Sequence, residues 1–176
     1  MKAPMVADAR DLNLTAMPAQ PLDIEQEAAS FYLHPGKLFV AIQPTVVTTI
    51  LGSCVAVCLW DADLGIGGIN HYLLPTGLKA STSPLRYGNV AIEELLSRTV
   101  RAGARLRSMR AKLFGGACVL DAMRGRDNHL GTKNIEMARK ALSEAGIPVI
   151  ASDVGGNRGR KLLFQPHTGT ALVKLL

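Results

Sequence analysis

The sequence of residues 54–74 is CVAVCLWDADLGIGGINHYLL, and it decides how the rest of the chain is interpreted. Its first seven residues are continuously apolar, which is typical of a strand buried on both faces. Residues 61–65 have the composition of a turn, and residues 66–74 return to apolar and β-branched side chains before Pro75. The stretch therefore predicts two neighbouring antiparallel strands joined by a short turn.

Strands outnumber helices in the rest of the chain. Further strands are predicted at residues 38–42, 45–51, 112–117 and 147–152, with a hairpin of residues 161–165 and 170–175. One amphipathic helix is predicted from Asn89, a candidate N-cap, to Gly103, and another from Thr132 to Gly146. Because consecutive strands mostly lack a helix between them, the sequence predicts an α+β fold on a mixed or antiparallel β core.

The chain of 176 residues has the length of one domain. Residues 1–30 contain three prolines and lack an apolar period, so we interpret them as a flexible or loosely docked N-terminal extension with a short helix around residues 24–31. Residues 31–176 are interpreted as a single domain. They carry eighteen basic and nine acidic side chains, which favours an anionic partner such as nucleic acid, phosphate or an acidic protein.

The compartment is predicted from what the sequence lacks. No apolar run approaches the roughly 20 residues that span a bilayer. Acidic residues occupy the start of the chain, where a signal peptide would be basic and then apolar. Three cysteines, an odd number, argue against a disulfide framework. We therefore expect a cytoplasmic protein without membrane insertion.

Cys54 follows Gly52 and Ser53 where the first buried strand begins. A cysteine in that position can present its sulfur beside unbonded backbone N–H groups, which makes Gly52 and Ser53 candidates for stabilising an oxyanion. His71 lies on the neighbouring predicted strand, about 5 Å away, and an imidazole there could lower the pKa of the thiol. The more common structural explanation is a buried cysteine and a hydrogen-bonded histidine at a strand end.

The other cysteines do not predict a metal site. Cys58 lies four residues beyond Cys54, which is roughly 13 Å along a strand and too far for one tetrahedral zinc. Cys118 stands apart, so we expect both Cys58 and Cys118 in the core. The glycine-rich basic run 153–161 lacks the spacing of a phosphate-binding loop and predicts a tight turn with a solvated basic rim.

Several of these segments together resemble the CheD family, the chemoreceptor glutamine deamidases of bacterial and archaeal chemotaxis. The segments follow the family's order over residues 32–176 and comprise residues 32–36, 51–59, 65–75, 86–89, 112–117, 131–134 and 153–161. The resemblance implies a β-sandwich of mixed sheets flanked by helices, similar to bacterial toxin cysteine deamidases. It also implies that no metal or organic cofactor is required.

The resemblance implies a catalytic set of Cys54, His71 and Thr48, the threonine six residues before the cysteine. Thr49 stays open as the third member, because a shift of one residue along a strand exchanges the two faces. His71 would accept the Cys54 proton, and the sulfur would attack the side-chain amide of a receptor glutamine, releasing ammonia. Water would hydrolyse the thioester to glutamate, while Thr48 oriented His71. A Cys54–His71 ion pair would keep the thiol reactive at pH values well below its usual pKa of about 8.5.

Other functions remain open from the sequence. The same machinery would hydrolyse receptor glutamyl methyl esters, and the resemblance suggests a CheC-type phosphatase as a partner. The alternative to an enzyme is a non-catalytic adaptor that binds receptors or that phosphatase. A basic nucleic-acid-binding domain is a third hypothesis, which we favour less because a basic face equally suits the acidic helical surface of a receptor.

Overall fold

The computed structural model of the chain describes residues 28–118 and 129–176. Within these residues nine strands form two sheets, one with the order β1-β3-β8-β9 and the other with the order β2-β5-β4-β6-β7. The strands are β1 (Ala29–Tyr32), β2 (Lys37–Ala41), β3 (Thr45–Leu51), β4 (Val55–Asp61), β5 (Ile66–His71), β6 (Met109–Gly115), β7 (Val149–Val154), β8 (Arg160–Gln165) and β9 (Thr170–Leu175). The helices are α1 (Gly88–Arg101) and α2 (Leu130–Glu144), with single 3-10 turns at Pro84–Arg86 and Leu106–Ser108.

Strand β4 lies in the middle of the molecule, and all seven of its residues are buried. Alternate side chains point to opposite faces of a strand. Val55, Val57 and Leu59 therefore pack in the cluster that includes both helices. Ala56, Cys58 and Trp60 pack against the four-stranded sheet. The continuous apolar run is thus explained by a strand that is covered on both sides, as the sequence predicts.

The two sheets are mixed. Strands β1 and β3 run parallel, as do β6 and β7, and the other pairs are antiparallel. The β4–β5 hairpin and the β8–β9 hairpin both form as predicted. The α+β class, with mixed sheets flanked by helices, is confirmed.

The helix N-termini differ from their predictions. Tyr87 is the N-cap of α1, and Asn89 instead exchanges two hydrogen bonds of 3.0 Å with the backbone of Gly77. At α2 the N-cap is His129, whose Nδ1 accepts from the Thr132 N–H at 3.3 Å. Both predictions were wrong. The Asn89 side chain is bonded to the backbone of a loop twelve residues earlier, and the hydrogen bond that caps α2 is accepted by the ring of His129. Sequence pattern alone shows neither contact.

The N-terminal prediction is wrong at one point. Residues 29–31 belong to β1, not to a helix, because they pair in parallel with β3. The Phe31 ring also stacks on Phe39 at a centroid distance of 4.5 Å. The remainder of the predicted extension, residues 1–27, lies outside the described residues. No helix in the described ranges is both long enough and apolar enough to cross a bilayer.

The run 153–161 forms the connection between β7 and β8. Arg160 is buried, and its guanidinium donates to the Asp153 carboxylate at 2.8 and 3.0 Å and to the Gly155 carbonyl at 2.8 Å. Arg158 donates to the carbonyl of Leu176 at 2.9 Å. The turn is as predicted. Arg158 and Lys161 are exposed, as a solvated basic rim requires, whereas Arg160 is buried and bound to this chain's own groups. Cys58 is in the core as predicted, whereas Cys118 is only half-buried.

Candidate functional site

Cys54 lies in the bend between β3 and β4, and a glycine pair holds the backbone of that bend. The Gly116 N–H donates to the Cys54 carbonyl at 2.7 Å, and the Ala117 N–H donates to the Gly52 carbonyl at 2.8 Å. Gly115 and Gly116 have φ values of +103° and +69°, which favour glycine. A Cβ on Gly115 would lie 2.2 Å from the Cys54 carbonyl oxygen. The close approach that fixes the bend therefore requires glycine at position 115.

The Cys54 thiol is half-buried and protonated at neutral pH. Its removal from water raises the pKa of the thiol, and the residue's own backbone N–H only partly offsets this effect. Cys54 is thus a neutral thiol that needs a base in order to react.

His71 ends β5 and is buried between the two sheets, with 1% of its surface exposed. Its Nδ1 lies 2.8 Å from the Thr49 hydroxyl oxygen on β3. That hydroxyl also donates to the Leu33 carbonyl at 2.8 Å. A hydroxyl has one proton and a carbonyl can only accept, so the proton between Thr49 and His71 must belong to Nδ1. His71 Nε2 is therefore the unprotonated nitrogen.

The unprotonated Nε2 is buried, and no hydrogen-bond partner for it is present in the described part of the chain. Burial without a nearby anion lowers the pKa of His71 to about 4. The ring is consequently neutral at physiological pH, and its basic nitrogen is available to accept a proton.

Thr49, not Thr48, is the threonine that contacts His71. The side chains of β3 alternate, so that Val47, Thr49 and Leu51 are buried between the sheets. Thr48 lies on the opposite face of the strand and is only half-buried. The structure therefore brings to His71 the neighbouring threonine that the sequence left open, and not Thr48, since only one of two adjacent side chains can face inward.

Cys54 and His71 share a face of the five-stranded sheet. Val55 and Tyr72 exchange backbone hydrogen bonds of 3.2 and 3.0 Å, which extends the β4–β5 ladder by one pair. Continuing this register makes Cys54 and His71 diagonal neighbours, with Cα atoms roughly 7–8 Å apart. The raised pKa of the thiol and the lowered pKa of the imidazole both favour a neutral pair, so the hypothesis of a resting ion pair is not supported.

Sequence reasoning missed one further residue beside Cys54. Asn134, near the start of α2, is fully buried and donates to the Ser53 carbonyl at 3.0 Å and to the Leu73 carbonyl at 2.9 Å. Its segment could be found in the sequence only through the family resemblance, because a lone asparagine on a helix carries no chemical signal. Within residues 28–118 and 129–176, no cluster of three or more potential metal ligands occurs.

The fold and the site together define an α+β sandwich protein with a half-buried cysteine beside a buried, neutral histidine. The model of the CheD family, described as CheD chemotactic sensory transduction, matches residues 73–175. By this match and by the relatives described next, the chain belongs to the CheD family.

Three similar proteins carry the name probable chemoreceptor glutamine deamidase CheD, two of them with a number. The protein of Anaeromyxobacter dehalogenans, CheD 1, is 51% identical over 84% of this chain and 85% of its own length. That of Sulfurimonas denitrificans is 44% identical over 81% of this chain and 92% of its own length. CheD 2 of Geobacter sulfurreducens is 43% identical over 82% and 89% of the two chains.

A solved structure, the hypothetical protein YfiH of Bacillus licheniformis, overlaps this chain with a TM-score of 0.45 and 17% identity. The overlap covers 66% of this chain and 49% of that one, and the likeness is too weak to bear on the fold.

Proposed function

We propose that this protein hydrolyses the side-chain amide of specific glutamines in the cytoplasmic region of methyl-accepting chemotaxis receptors, leaving glutamate and releasing ammonia. The names of the relatives support the reaction and the substrate. The observation that carries the mechanism is the hydrogen bond of 2.8 Å between Thr49 and His71 Nδ1, because it leaves Nε2 as the base. Such a substrate would place the protein in the cytoplasm.

In the first step, His71 Nε2 accepts the proton of the Cys54 thiol as the sulfur attacks the amide carbon. The S–C bond forms, and the electrons of the carbonyl π bond move to oxygen. The imidazolium is held through Nδ1–H by the Thr49 hydroxyl. A neutral hydroxyl stabilises that charge less than a carboxylate would, so Thr49 acts chiefly by fixing the ring and its tautomer.

The oxyanion would be stabilised by backbone N–H groups of the bend. The carbonyls of Gly52, Ser53 and Cys54 all accept hydrogen bonds, from Ala117, Asn134 and Gly116. The N–H groups of the same three residues donate to no backbone carbonyl in the described part of the chain. This arrangement supports Gly52 and Ser53 as oxyanion donors, together with the N–H of Cys54 itself.

In the second step the tetrahedral intermediate collapses. The C–N bond breaks, and Nε2–H of His71 gives its proton to the leaving nitrogen, which departs as ammonia. The product is a thioester on Cys54. Nε2 then removes a proton from water as the water oxygen attacks the thioester carbon. The C–S bond breaks, and the sulfur takes that proton from Nε2–H, which restores the thiol and leaves glutamate. A glutamyl methyl ester would follow the same steps with methanol leaving, which makes methylesterase activity a plausible second reaction.

The test is mass spectrometry of a receptor cytoplasmic fragment from the same organism after incubation with the protein. We expect deamidation of particular glutamines with the wild type and none with Cys54→Ala. Cys58→Ala is the matched control, since Cys58 is buried on the same strand face four residues away and takes no part in the mechanism. Deamidation by Cys54→Ala would contradict the nucleophile.

The same experiment distinguishes the enzyme from the adaptor alternative. If the protein is an adaptor, the wild type and Cys54→Ala should bind the receptor fragment, or a CheC-type phosphatase, equally well. The wild type should then convert no glutamine. If both forms pull down the receptor fragment and the mass of the fragment does not change, the adaptor hypothesis is favoured over the enzyme hypothesis.

A further inference from the structure

The β4–β5 ladder ends between the two groups that would react, so that His71 lies just inside it and Cys54 just beyond it. Val55 and Tyr72 form its last backbone pair. Beyond that pair, the backbone carbonyls of Ser53 and Leu73 lie at the two strand ends, next to Cys54 and two residues after His71. Strand ends without ladder bonds separate readily, so the distance between the sulfur and Nε2 depends both on the glycine pair that bonds the Cys54 bend to the end of β6 and on what connects that bend to the end of β5.

Asn134 supplies that connection from a third element. Its amide nitrogen donates one hydrogen to the Ser53 carbonyl at 3.0 Å and the other to the Leu73 carbonyl at 2.9 Å. Because both partners can only accept, the nitrogen must face them, and the amide cannot be flipped. The side chain therefore bridges the two strand ends in place of a further ladder pair.

The helix that carries Asn134 is itself fixed against the end of β5 and the end of β6. The Tyr72 hydroxyl donates to the Asn134 backbone carbonyl. Gly131, in the first turn of α2, is so close to Gly116 that a Cβ on it would lie 2.2 Å from the Gly116 carbonyl oxygen. The Asn134 amide is thus a rigid bridge, although its own Oδ1 is buried and has no hydrogen-bond partner in the described ranges.

We propose that Asn134 is a positioning residue of the deamidation site, which sets the approach of the Cys54 sulfur to His71 Nε2 by tying the two strand ends together. The inference rests on the proposed function, and it adds a residue on α2 to a site otherwise built on β3, β4 and β5. Misplacement of reacting groups by about 1 Å can cost roughly a hundredfold in rate. The bridge therefore acts on turnover rather than on binding of the receptor.

The experiment compares Asn134→Leu and Asn134→Asp with the wild type. Both replacements keep the size of the side chain and remove its two donors. Each variant is assayed for ammonia release from the receptor fragment, and the pKa of His71 is followed by NMR in the absence of substrate. Thr99→Val is the matched control, because it removes one buried bond from a side chain to the backbone, on α1, and leaves both Asn134 donors and the contacts of α2 in place.

We expect kcat to fall roughly ten- to a hundredfold in both Asn134 variants, with KM within about twofold of the wild type. We also expect the pKa of His71 to rise from about 4 toward 6.5, because separated strand ends admit water to the ring. Thr99→Val is expected to keep kcat within about threefold.

Other results overturn the inference. If kcat is unchanged, or if KM rises alone, Asn134 does not position the reacting groups. If neither variant folds at low temperature, the bridge serves stability and the inference is wrong. A wild-type protein without deamidase activity would defeat the proposed function instead, and the NMR comparison would still show whether Asn134 holds the strand ends together.

Discussion

Replacing Thr49 with valine tests the centre of the proposed mechanism. Valine has nearly the shape of threonine but can neither accept from His71 Nδ1–H nor donate to the Leu33 carbonyl, the two bonds of 2.8 Å seen here. Thr48→Val is the matched control, because it makes the same chemical change one residue earlier, on the half-buried outer face of β3.

The magnitudes follow from the two lost bonds. A buried polar group without a partner costs about 1–3 kcal/mol, and Thr49→Val creates two, so the free energy of unfolding should fall by at least about 2 kcal/mol. In the transition state the lost bond is one to a charged imidazolium, worth about 1.5–3 kcal/mol, against about 0.5–1.5 kcal/mol for the neutral bond of the resting enzyme. The difference of about 1–1.5 kcal/mol corresponds to a decrease in kcat of roughly five- to thirteenfold. Thr48→Val should change the free energy of unfolding by no more than about 0.5 kcal/mol.

Urea unfolding and ammonia release from the receptor fragment measure the two quantities. Thr49→Ser, which keeps the hydroxyl, should recover most of kcat and guards against a valine variant that is too unstable to assay. The reasoning is refuted if Thr49→Val retains kcat within about twofold, or if Thr48→Val loses as much activity as Thr49→Val.

Three further results are expected. Because the pKa of His71 is about 4 in the folded protein and near 6.5 when unfolded, the unfolded chain binds the proton first as pH falls; stability is complete above pH 6.5 and declines by about 3 kcal/mol toward pH 4. Urea titrations over this range should show that slope, and an equal slope in His71→Asn would contradict it. The rate of Cys54 alkylation by iodoacetamide should keep rising beyond pH 9, since the pKa of the thiol is raised above 9.0, and a plateau near neutral pH would instead indicate an ion pair. Gly115→Ala should abolish ammonia release because its Cβ would collide with the Cys54 carbonyl. Gly155→Ala is the control: Gly155 also has a positive φ, a Cβ there would meet nothing within 4 Å, and the free energy of unfolding should fall by only about 1–2 kcal/mol. Comparable activity in the two variants would argue against the glycine pair as the support of the bend.

Elements with a strong local pattern could be predicted from the sequence. The apolar run of β4 and the turn after it predicted the central hairpin, and this hairpin alone places the strand of His71 beside that of Cys54. The hydrophobic period and the composition of the turns suffice to predict such features, because these features depend mainly on residues that are close together in the sequence. The scarcity of helices between strands likewise predicted the α+β class.

Tertiary structure decided what depends on contacts between elements distant along the chain. Thr48 and Thr49 are indistinguishable in the sequence, and only the packing of β3 against β5 turns Thr49 toward His71, twenty-two residues later. Asn134 bridges Ser53 and Leu73, which precede it by 81 and 61 positions, and no periodicity of the sequence indicates such a contact. The ring of His71 is neutral because both sheets exclude water from it, which is a property of the folded sandwich and of no single segment.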